Sequence, residues 1–260
     1  MAKAKYGLEH GVALITLNDP ATLNAISVDM TEELTVFFTR ATEEARCVVL
    51  TGEGRAFSSG ANLASGAPPV DADGQPDLGA VLEQTFNPFI TMLRDLPIPF
   101  VTAVNGAAAG IGCSFALLGD LIVAGESAYF LQAFRRIGLV PDGSATYHLP
   151  RMIGRARAME MMLMGERVPA KQAYEWGLVN RCVPDADLLP TAKALALELA
   201  NGPTKTLGMI RRLTWASLDS TWEEQIQAER QAQRLAGRTE DFREGVQAFF
   251  QKRPAQFKGT

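Results

Sequence analysis

Two glycine-rich turns, each placed directly after a short apolar segment, constrain the fold of this chain more than any other feature. The first turn, 52–60, follows the apolar segment 47–51, and the second, 105–114, follows 100–104. Both apolar segments have the length and composition of buried strands, and the small residues after them would let a ligand approach the main chain closely. The second turn is expected to open a helix, where free N–H groups favour negative charge.

Two such turns, if the fold brings them together, would place two main-chain donors on one developing oxyanion. That arrangement stabilises an enolate or a tetrahedral intermediate. Taken alone, each turn is more often only a tight connection between elements of secondary structure. The functional interpretation therefore depends on the two turns being neighbours in space.

A second interpretation of the glycines is a dinucleotide site, because Gly106, Gly110 and Gly112 have the spacing found in short-chain dehydrogenases. The motif lies in the middle of the chain, however, after several other elements. The Tyr-x-x-x-Lys pair that would accompany it is also missing, since neither Tyr147 nor Tyr174 has a lysine four residues later. The glycine spacing is therefore weak support for a nicotinamide site.

The composition argues against several kinds of site. The chain has 25 Lys and Arg against 29 Asp and Glu, with no block of like charges, which argues against a nucleic-acid-binding surface. With 2 His and 3 widely separated Cys, we expect no metal site, no disulfide framework and no histidine-dependent triad. A signal-peptide pattern and an unbroken membrane-spanning segment are also missing, so we expect a cytoplasmic protein that does not bind membranes.

Strand and helix patterns alternate over residues 10–180, which favours an α/β fold. Strands are predicted at 12–17, 47–51 and 100–104. Ser27 is expected to cap a helix, because apolar residues follow it at helical spacing. The first two thirds of the chain thus predict strands separated by helices.

The remaining patterns are a loop and further helices. Residues 64–79 have the composition of a loop, and a helix is predicted from 79 to 94. Beyond Pro184 the pattern is helical. The residues expected to anchor these helices by packing are Trp222, Ile226 and Leu235.

Five segments of the chain resemble the enoyl-CoA hydratase/isomerase (crotonase) superfamily, in order and over nearly the whole length. They are residues 18–27, 54–63 (Gly-Arg-Ala-Phe-Ser-Ser-Gly-Ala-Asn-Leu), 104–113 (Val-Asn-Gly-Ala-Ala-Ala-Gly-Ile-Gly-Cys), 173–179 and 244–253. The resemblance implies an α/β, crotonase-like spiral of ββα units over residues 1–195 and a helical C-terminal trimerisation region over 196–260. It further implies a homotrimer or a dimer of trimers, with an acyl-CoA thioester as the substrate and no separate cofactor.

The resemblance also implies which residues hold the ligand. The main-chain N–H groups of Ala61 and Ile111 would form the oxyanion hole. At position 111 an isoleucine replaces the glycine usual in the family, which keeps the donor and adds a side chain that would narrow or reshape the pocket. The residues expected to contact CoA are Ala25, Ser59, Asn62 and Leu63, with Phe249 and Lys252 reaching a neighbouring subunit's nucleotide. For Phe249, ordinary helix packing is an equally good interpretation.

Hydration of an enoyl thioester needs two carboxylates to hold water and move its protons. At the two positions where the resemblance places the hydratase glutamates, this chain has Ser114 and Phe134, neither of which acts as a base at neutral pH. A plain hydratase mechanism therefore lacks its carboxylates. Both residues are expected to line the acyl pocket instead.

Asp142 is the carboxylate that remains in the right neighbourhood. The segment 138–144 (Gly-Leu-Val-Pro-Asp-Gly-Ser) resembles the isomerase branch of the family, which includes phenylacetate-degradation and dienoyl-CoA isomerases. There a single aspartate moves a proton between carbons of the acyl chain, so Asp142 is expected to act as general base and then as general acid. Pro-Asp-Gly is also ordinary turn chemistry.

The surroundings of Asp142 decide its strength as a base. An apolar wall, with Phe134 as a member, would desolvate the carboxylate and raise its pKa, whereas pairing with Arg135 or Arg136 would lower it. Glu83, on the helix expected to line the acyl pocket, is a second candidate acid, although such a residue is more often on the surface.

Together these features predict an enoyl-CoA isomerase that shifts a double bond through a thioester enolate held in the oxyanion hole. Thioester hydrolysis or weak hydration in the same fold is one alternative. A non-catalytic CoA-binding subunit is another, and a nicotinamide-dependent dehydrogenase is the least supported interpretation.

Overall fold

The computed structural model describes residues 2–63 and 69–260, and two β-sheets form the centre of this part of the chain. The strands are β1 (Ala4–Glu9), β2 (Val12–Leu17), β3 (Cys47–Gly52), β4 (Ala56–Ser58), β5 (Phe100–Val104), β6 (Ala107–Ala109), β7 (Leu121–Gly125), β8 (Tyr129–Leu131), β9 (Val168–Pro169) and β10 (Arg181–Val183). The larger sheet has the order β1-β2-β3-β5-β7-β10, and the smaller sheet has the order β4-β6-β8-β9.

The helices follow the strands in a regular way. They are α1 (Val28–Glu44), α2 (Leu78–Val81), α3 (Asn87–Arg94), α4 (Ile111–Ala116), α5 (Ala145–Met164), α6 (Ala170–Glu175), α7 (Leu188–Ala200), α8 (Thr204–Ala216), α9 (Trp222–Ala236) and α10 (Glu240–Gln251). Strands β3, β5 and β7 of the larger sheet are each followed by a short strand of the smaller sheet and then by a helix. The chain therefore winds through repeated ββα units, and equivalent strands of successive units pair in parallel.

Strands β3 and β5, at the centre of the larger sheet, are buried on both faces, as parallel strands covered by helices require. One face of β3 and β5 packs against α7, which presents small residues to the sheet. The opposite face packs against α1, α3 and α4 through aromatic rings that meet edge to face or at a tilt. They are Phe38, Phe89, Phe100 and Phe115. This rigid centre carries the short strands from which the candidate site is built.

The predicted strands at 12–17, 47–51 and 100–104 are confirmed, with ends within one residue of those observed. Ser27 caps α1, because its side chain accepts a hydrogen bond from the N–H of Met30 at 3.2 Å. No helix in residues 2–63 and 69–260 combines the length and hydropathy of a membrane span.

The helix predicted from 79 to 94 is present but is interrupted. Residues Leu82–Phe86, between α2 and α3, form a π-helical turn in which each hydrogen bond spans one residue more than in an α-helix. Residues 64–68 of the predicted loop lie outside the described residues. The rest of that stretch is irregular until α2 begins at Leu78.

The interpretation of Trp222, Ile226 and Leu235 as packing anchors is wrong within this chain. Their side chains are 74%, 40% and 45% exposed, and α9 contains no buried residue. Helical spacing of apolar residues indicates an apolar face, but it does not identify what covers that face. Helix α7 packs on the sheet and continues past residue 195. The division of the chain into a core and a C-terminal region at 195/196 stays a prediction.

Candidate active site

The two glycine turns meet at the end of the smaller sheet. Pairing of β4 with β6 sets Ser58 beside Ala108, so the residues that follow the two strands emerge side by side. A Cβ placed on Gly60 would lie 3.1 Å from the carbonyl oxygen of Ala109, and one placed on Gly110 would lie 3.7 Å from Cα of Gly60. The two turns are therefore neighbours in space, which is the condition that the functional interpretation of the glycines requires.

Ala61 directly follows the first turn, in a conformation that leaves its amide available. The N–H of Ile26 donates to the carbonyl of Gly60 at 2.8 Å, and the N–H of Asn62 donates to the carbonyl of Ile26 at 2.8 Å. These two bonds lie on either side of Ala61 in a parallel bridge. In such a bridge the N–H of the central residue faces away from the partner strand.

Ile111 opens α4 directly after Gly110 of the second turn. The N–H of the preceding residue, Gly110, donates to the carbonyl of Leu131 at 2.8 Å, which holds the turn against β8. In the described part of the chain, neither Ile111 nor Ala61 donates its N–H to a main-chain carbonyl. Two unpaired donors next to touching turns fit an oxyanion hole, and this role stays a prediction.

Buried polar side chains that the sequence analysis did not single out hold the first turn. Asn24 is fully buried, and its Nδ2 donates to the carbonyl of Ala56 at 2.8 Å. Ser58 donates from Oγ to the carbonyl of Asn24 at 2.8 Å and accepts from the N–H of Gly60 at 3.2 Å. Asn24 lies in the segment 18–27, whose family resemblance is the signal that could have identified it.

Asp142 lies between a 3₁₀ turn and α5, close to α4. Its carbonyl accepts hydrogen bonds from the hydroxyl of Ser114 at 3.0 Å and from the N–H of Ala145 at 3.1 Å. Burial raises the pKa of its carboxyl group to about 6, partly opposed by its own main-chain N–H. Its Oδ1 is buried and has no hydrogen-bond partner in the described part of the chain. A buried, unpaired oxygen of this kind is costly, which makes Asp142 a candidate for a chemical role.

The two arginines beside Phe134 do not pair with Asp142. Arg135 donates to the carbonyl of Leu163 at 2.6 Å, and Arg136 donates to the carbonyl of Gly165 at 2.6 Å. Both therefore bind the C-terminal end of α5, where cations are favoured by the free carbonyl groups. Since neither arginine pairs with Asp142, burial decides the direction of the shift, and the pKa of the Asp142 carboxyl group is raised.

The residues expected to line the acyl pocket lie around these groups. Ser114 is buried and faces the turn that contains Asp142. The ring of Phe134 is buried, and its Cζ lies 3.7 Å from the position of a Cβ on Gly110. The Ile111 side chain points into the protein interior and contacts the same turn as Ser114. Glu83, by contrast, is exposed on the π-helical turn.

The residues expected to contact CoA divide into two groups. Ala25, Ser59, Asn62 and Leu63 come together because the bridge between Ile26 and Ala61 joins their segments. Ser59 is exposed, and Leu63 is 68% exposed.

The second group lies on or next to α10. Phe249 is 79% exposed, and Lys252 is exposed at the C-cap of that helix. No hydrogen bond, ion pair or ring contact within residues 2–63 and 69–260 joins either of them to the glycine turns. Their roles in binding CoA stay predictions.

Comparison with known proteins gives a consistent result. A family model described as enoyl-CoA hydratase/isomerase matches residues 7–260. The 1,2-epoxyphenylacetyl-CoA isomerase of Escherichia coli is 44% identical over 255 residues, covering 97% of this chain and 97% of that protein. A Rhodobacter capsulatus protein named "Probable enoyl-CoA hydratase" is 43% identical over 255 residues, covering 98% of this chain and 97% of that protein.

Solved structures show the same fold. An enoyl-CoA hydratase subunit from Geobacillus kaustophilus superposes with a TM-score of 0.91 at 33% identity, covering 99% of this chain and 98% of that chain. An enoyl-CoA hydratase from Bacillus anthracis superposes with a TM-score of 0.90 at 30% identity, covering 99% and 100%. The ββα spiral with a helical C-terminal region is thus a crotonase-like fold.

The raised pKa of Asp142 predicts a specific dependence of stability on pH. The folded state favours the protonated carboxyl group. This group's contribution to the free energy of unfolding is therefore fully present below pH 4 and is lost as the pH rises through about 6. Asp142→Asn removes the ionisation. We expect it to gain about 2 kcal/mol in unfolding free energy relative to wild type between pH 4 and pH 8.

Urea unfolding at several pH values measures this difference. Asp73→Asn, at an exposed aspartate, is the matched control and is expected to follow wild type. A constant difference between Asp142→Asn and wild type from pH 4 to pH 8 would contradict the proposed environment of Asp142.

Proposed function

Because the chain belongs to the enoyl-CoA hydratase/isomerase family, we propose that it is an isomerase that shifts a double bond within an enoyl-CoA thioester. The observation that carries this proposal is the placement of one half-buried carboxylate, that of Asp142, close to the helix that starts at the paired turns. By the family resemblance, Ser114 and Phe134 occupy the positions that would hold the two glutamates of a hydratase. A site with one carboxylate can move a proton between carbons, but it lacks the pair that would hold and activate water.

The two main-chain donors carry the electrostatic part of the proposed reaction. The thioester oxygen accepts hydrogen bonds from the N–H groups of Ala61 and Ile111. When a proton leaves the acyl chain, the electron pair of the broken C–H bond moves into the thioester and places negative charge on that oxygen. Donors already fixed at this position stabilise the enolate without rearranging during the reaction.

Asp142 carries the proton. Its carboxylate removes a proton from one carbon of the acyl chain, and the resulting carboxylic acid returns a proton to the carbon at the other end of the enolate. One C–H bond breaks, another forms, and the double bond moves between them. A pKa of about 6 suits both steps near neutral pH, because the group is neither too weak a base nor too weak an acid.

The relatives support the assignment to the family, but their names do not agree on one reaction. One relative is named as an epoxyphenylacetyl-CoA isomerase and another as a hydratase, at nearly equal identity. The choice between the reactions therefore rests on the residues at positions 114, 134 and 142. The name of the Escherichia coli relative suggests that an epoxide-containing thioester belongs in the substrate panel.

We further propose that the chain acts as a homotrimer or a dimer of trimers in the cytoplasm. Ala25, Ser59, Asn62 and Leu63 would bind CoA within one subunit, and Phe249 and Lys252 would reach the CoA of a neighbour. Support comes from the C-terminal helices, since α9 has no buried residue and several large apolar side chains there are exposed. An apolar surface of this kind is typical of an interface.

The proposed reaction is tested with a panel of acyl-CoA thioesters: 3-enoyl, 2-enoyl, saturated and epoxide-containing. We expect conversion of the 3-enoyl to the 2-enoyl thioester, with exchange of solvent deuterium into the acyl chain. Asp142→Asn should lower both rates by about 10³-fold, because the base is removed. The wild-type kcat/KM should rise with pH up to about 6 and then level off, since the ionised carboxylate is required.

Asp73→Asn again serves as the control and should retain the wild-type rate. Unchanged isomerisation by Asp142→Asn would contradict the proposal. Release of free thiol would identify thioester hydrolysis instead, and saturable CoA binding without exchange or turnover would identify a non-catalytic subunit.

The assembly is tested by measuring the mass of the protein in solution. We expect the mass of three or six chains. Trp222→Glu, which places a charge on the exposed apolar face of α9, should shift the mass towards smaller species, whereas Gln227→Glu on the same helix should not. A monomer at micromolar concentration would contradict the proposed assembly.

A further inference from the structure

The hydrogen bond between Ser114 and the carbonyl of Asp142 joins the two halves of the proposed site. Ser114 follows Ile111 by three residues on α4, so the two residues lie on the same face of the helix. The helix that presents one oxyanion donor therefore also presents the hydroxyl that contacts the catalytic segment. Ser114 is only 2% exposed, and its Oγ lies 3.0 Å from the carbonyl oxygen of Asp142.

The turn after Asp142 is shaped to rest directly on Ser114. Gly143 and Ser144 have φ values of +63° and +64°, which residues with side chains adopt at a cost. A Cβ placed on Gly143 would lie 2.6 Å from Cβ of Ser114 and 3.2 Å from Cγ1 of Ile111. The space above Ser114 is thus filled by the main chain of the turn. A glutamate at position 114 would have to displace it.

We propose that Ser114 is a positioning residue whose hydroxyl fixes the main chain of Asp142 relative to the oxyanion donor of Ile111. This inference rests on the proposed function, in which Asp142 is the acid and base. The hydroxyl holds the strained turn in place, and the carboxylate therefore keeps one orientation towards the bound acyl chain. Ser114 does not touch the reacting atoms itself; it acts through Asp142.

The titration of Asp142 reports directly on its position. The titratable and charged groups on the neighbouring elements lie on α4, on the 3₁₀ turn at Phe134–Ile137 and on α5. They are Cys113, Arg135, Arg136, Tyr147, His148, Arg151, Arg155, Arg157 and Glu160. None of these contributes to the shift in the pKa of Asp142, which comes from burial opposed by its own N–H. A turn that moves away from α4 should therefore admit water and lower this pKa.

The experiment compares three variants by two measurements. The variants are Ser114→Ala, which removes the hydroxyl, Ser114→Thr, which keeps it, and Thr102→Val as the matched control. Thr102 is a fully buried residue whose hydroxyl donates to the carbonyl of Ala116 at 2.7 Å, at the other end of α4. The measurements are the NMR titration of the Asp142 carboxyl carbon in the ligand-free protein, and kcat and KM for isomerisation.

For Ser114→Ala we expect kcat to fall about 10- to 100-fold with KM nearly unchanged, because a displacement of about 1 Å is enough for such a loss. The titration midpoint of Asp142 should fall below its wild-type value of about 6. Ser114→Thr should restore both quantities, and Thr102→Val should match wild type. If Ser114→Ala does not fold, Ser114→Cys, with a weaker donor, should show the same changes.

A folded Ser114→Ala variant with wild-type kcat and titration would overturn the inference. Equal losses in Thr102→Val would also overturn it, because they would indicate a general effect of removing a buried hydroxyl. The titration needs no activity, so it decides the role of Ser114 even if the proposed reaction is wrong. The reaction itself fails separately, if Asp142→Asn retains turnover.

Discussion

The contact between the turns at Gly60 and Gly110 is the constraint on which the rest of the site depends. A side chain at Gly60 would press on the carbonyl oxygen of Ala109, and both glycines have positive φ values that residues with side chains adopt at a cost. A substitution at either position would therefore disturb the turns that present the proposed oxyanion donors, the amides of Ala61 and Ile111. The pairing of β4 with β6 creates the contact, and the buried amide of Asn24 maintains it. Helix α4 begins at this contact and extends towards the segment that carries the carboxylate.

The proposed reaction also requires a carboxylate that is partly removed from water and has no positively charged partner. Burial of Asp142 disfavours its ionised form, and the nearby arginines are engaged at the end of α5. The folded state would be more stable if the carboxylate were paired with a positive charge or exposed to water. A site that moves protons near neutral pH instead benefits from a carboxyl group whose pKa is raised towards neutrality. The cost in stability and the chemical use thus have the same physical origin.

Much of this arrangement could be predicted from the sequence, because it depends on local patterns. Apolar strands, the Ser27 cap and the two glycine turns are features of a few consecutive residues, and the family resemblance located Asp142. Strands of two or three residues, such as β4, β6 and β9, are too short to show a periodicity. The partners of Arg135 and Arg136 lie about thirty residues away, and the bond from Ser114 to Asp142 crosses 28 positions. The helical spacing of apolar residues on α9 likewise indicates an apolar face, but this face is exposed and does not pack within the chain.

In the proposed complex with substrate, one thioester oxygen binds both amides while Asp142 faces the acyl chain. A crystal structure of the Asp142→Asn variant with a bound 3-enoyl-CoA tests this most directly, because the substrate remains unreacted. We expect a carbonyl oxygen about 3 Å from the nitrogens of both Ala61 and Ile111, with the side chain at position 142 against the carbons next to the thioester. A thioester oxygen held by only one of these amides, or an acyl chain that lies away from position 142, would contradict it.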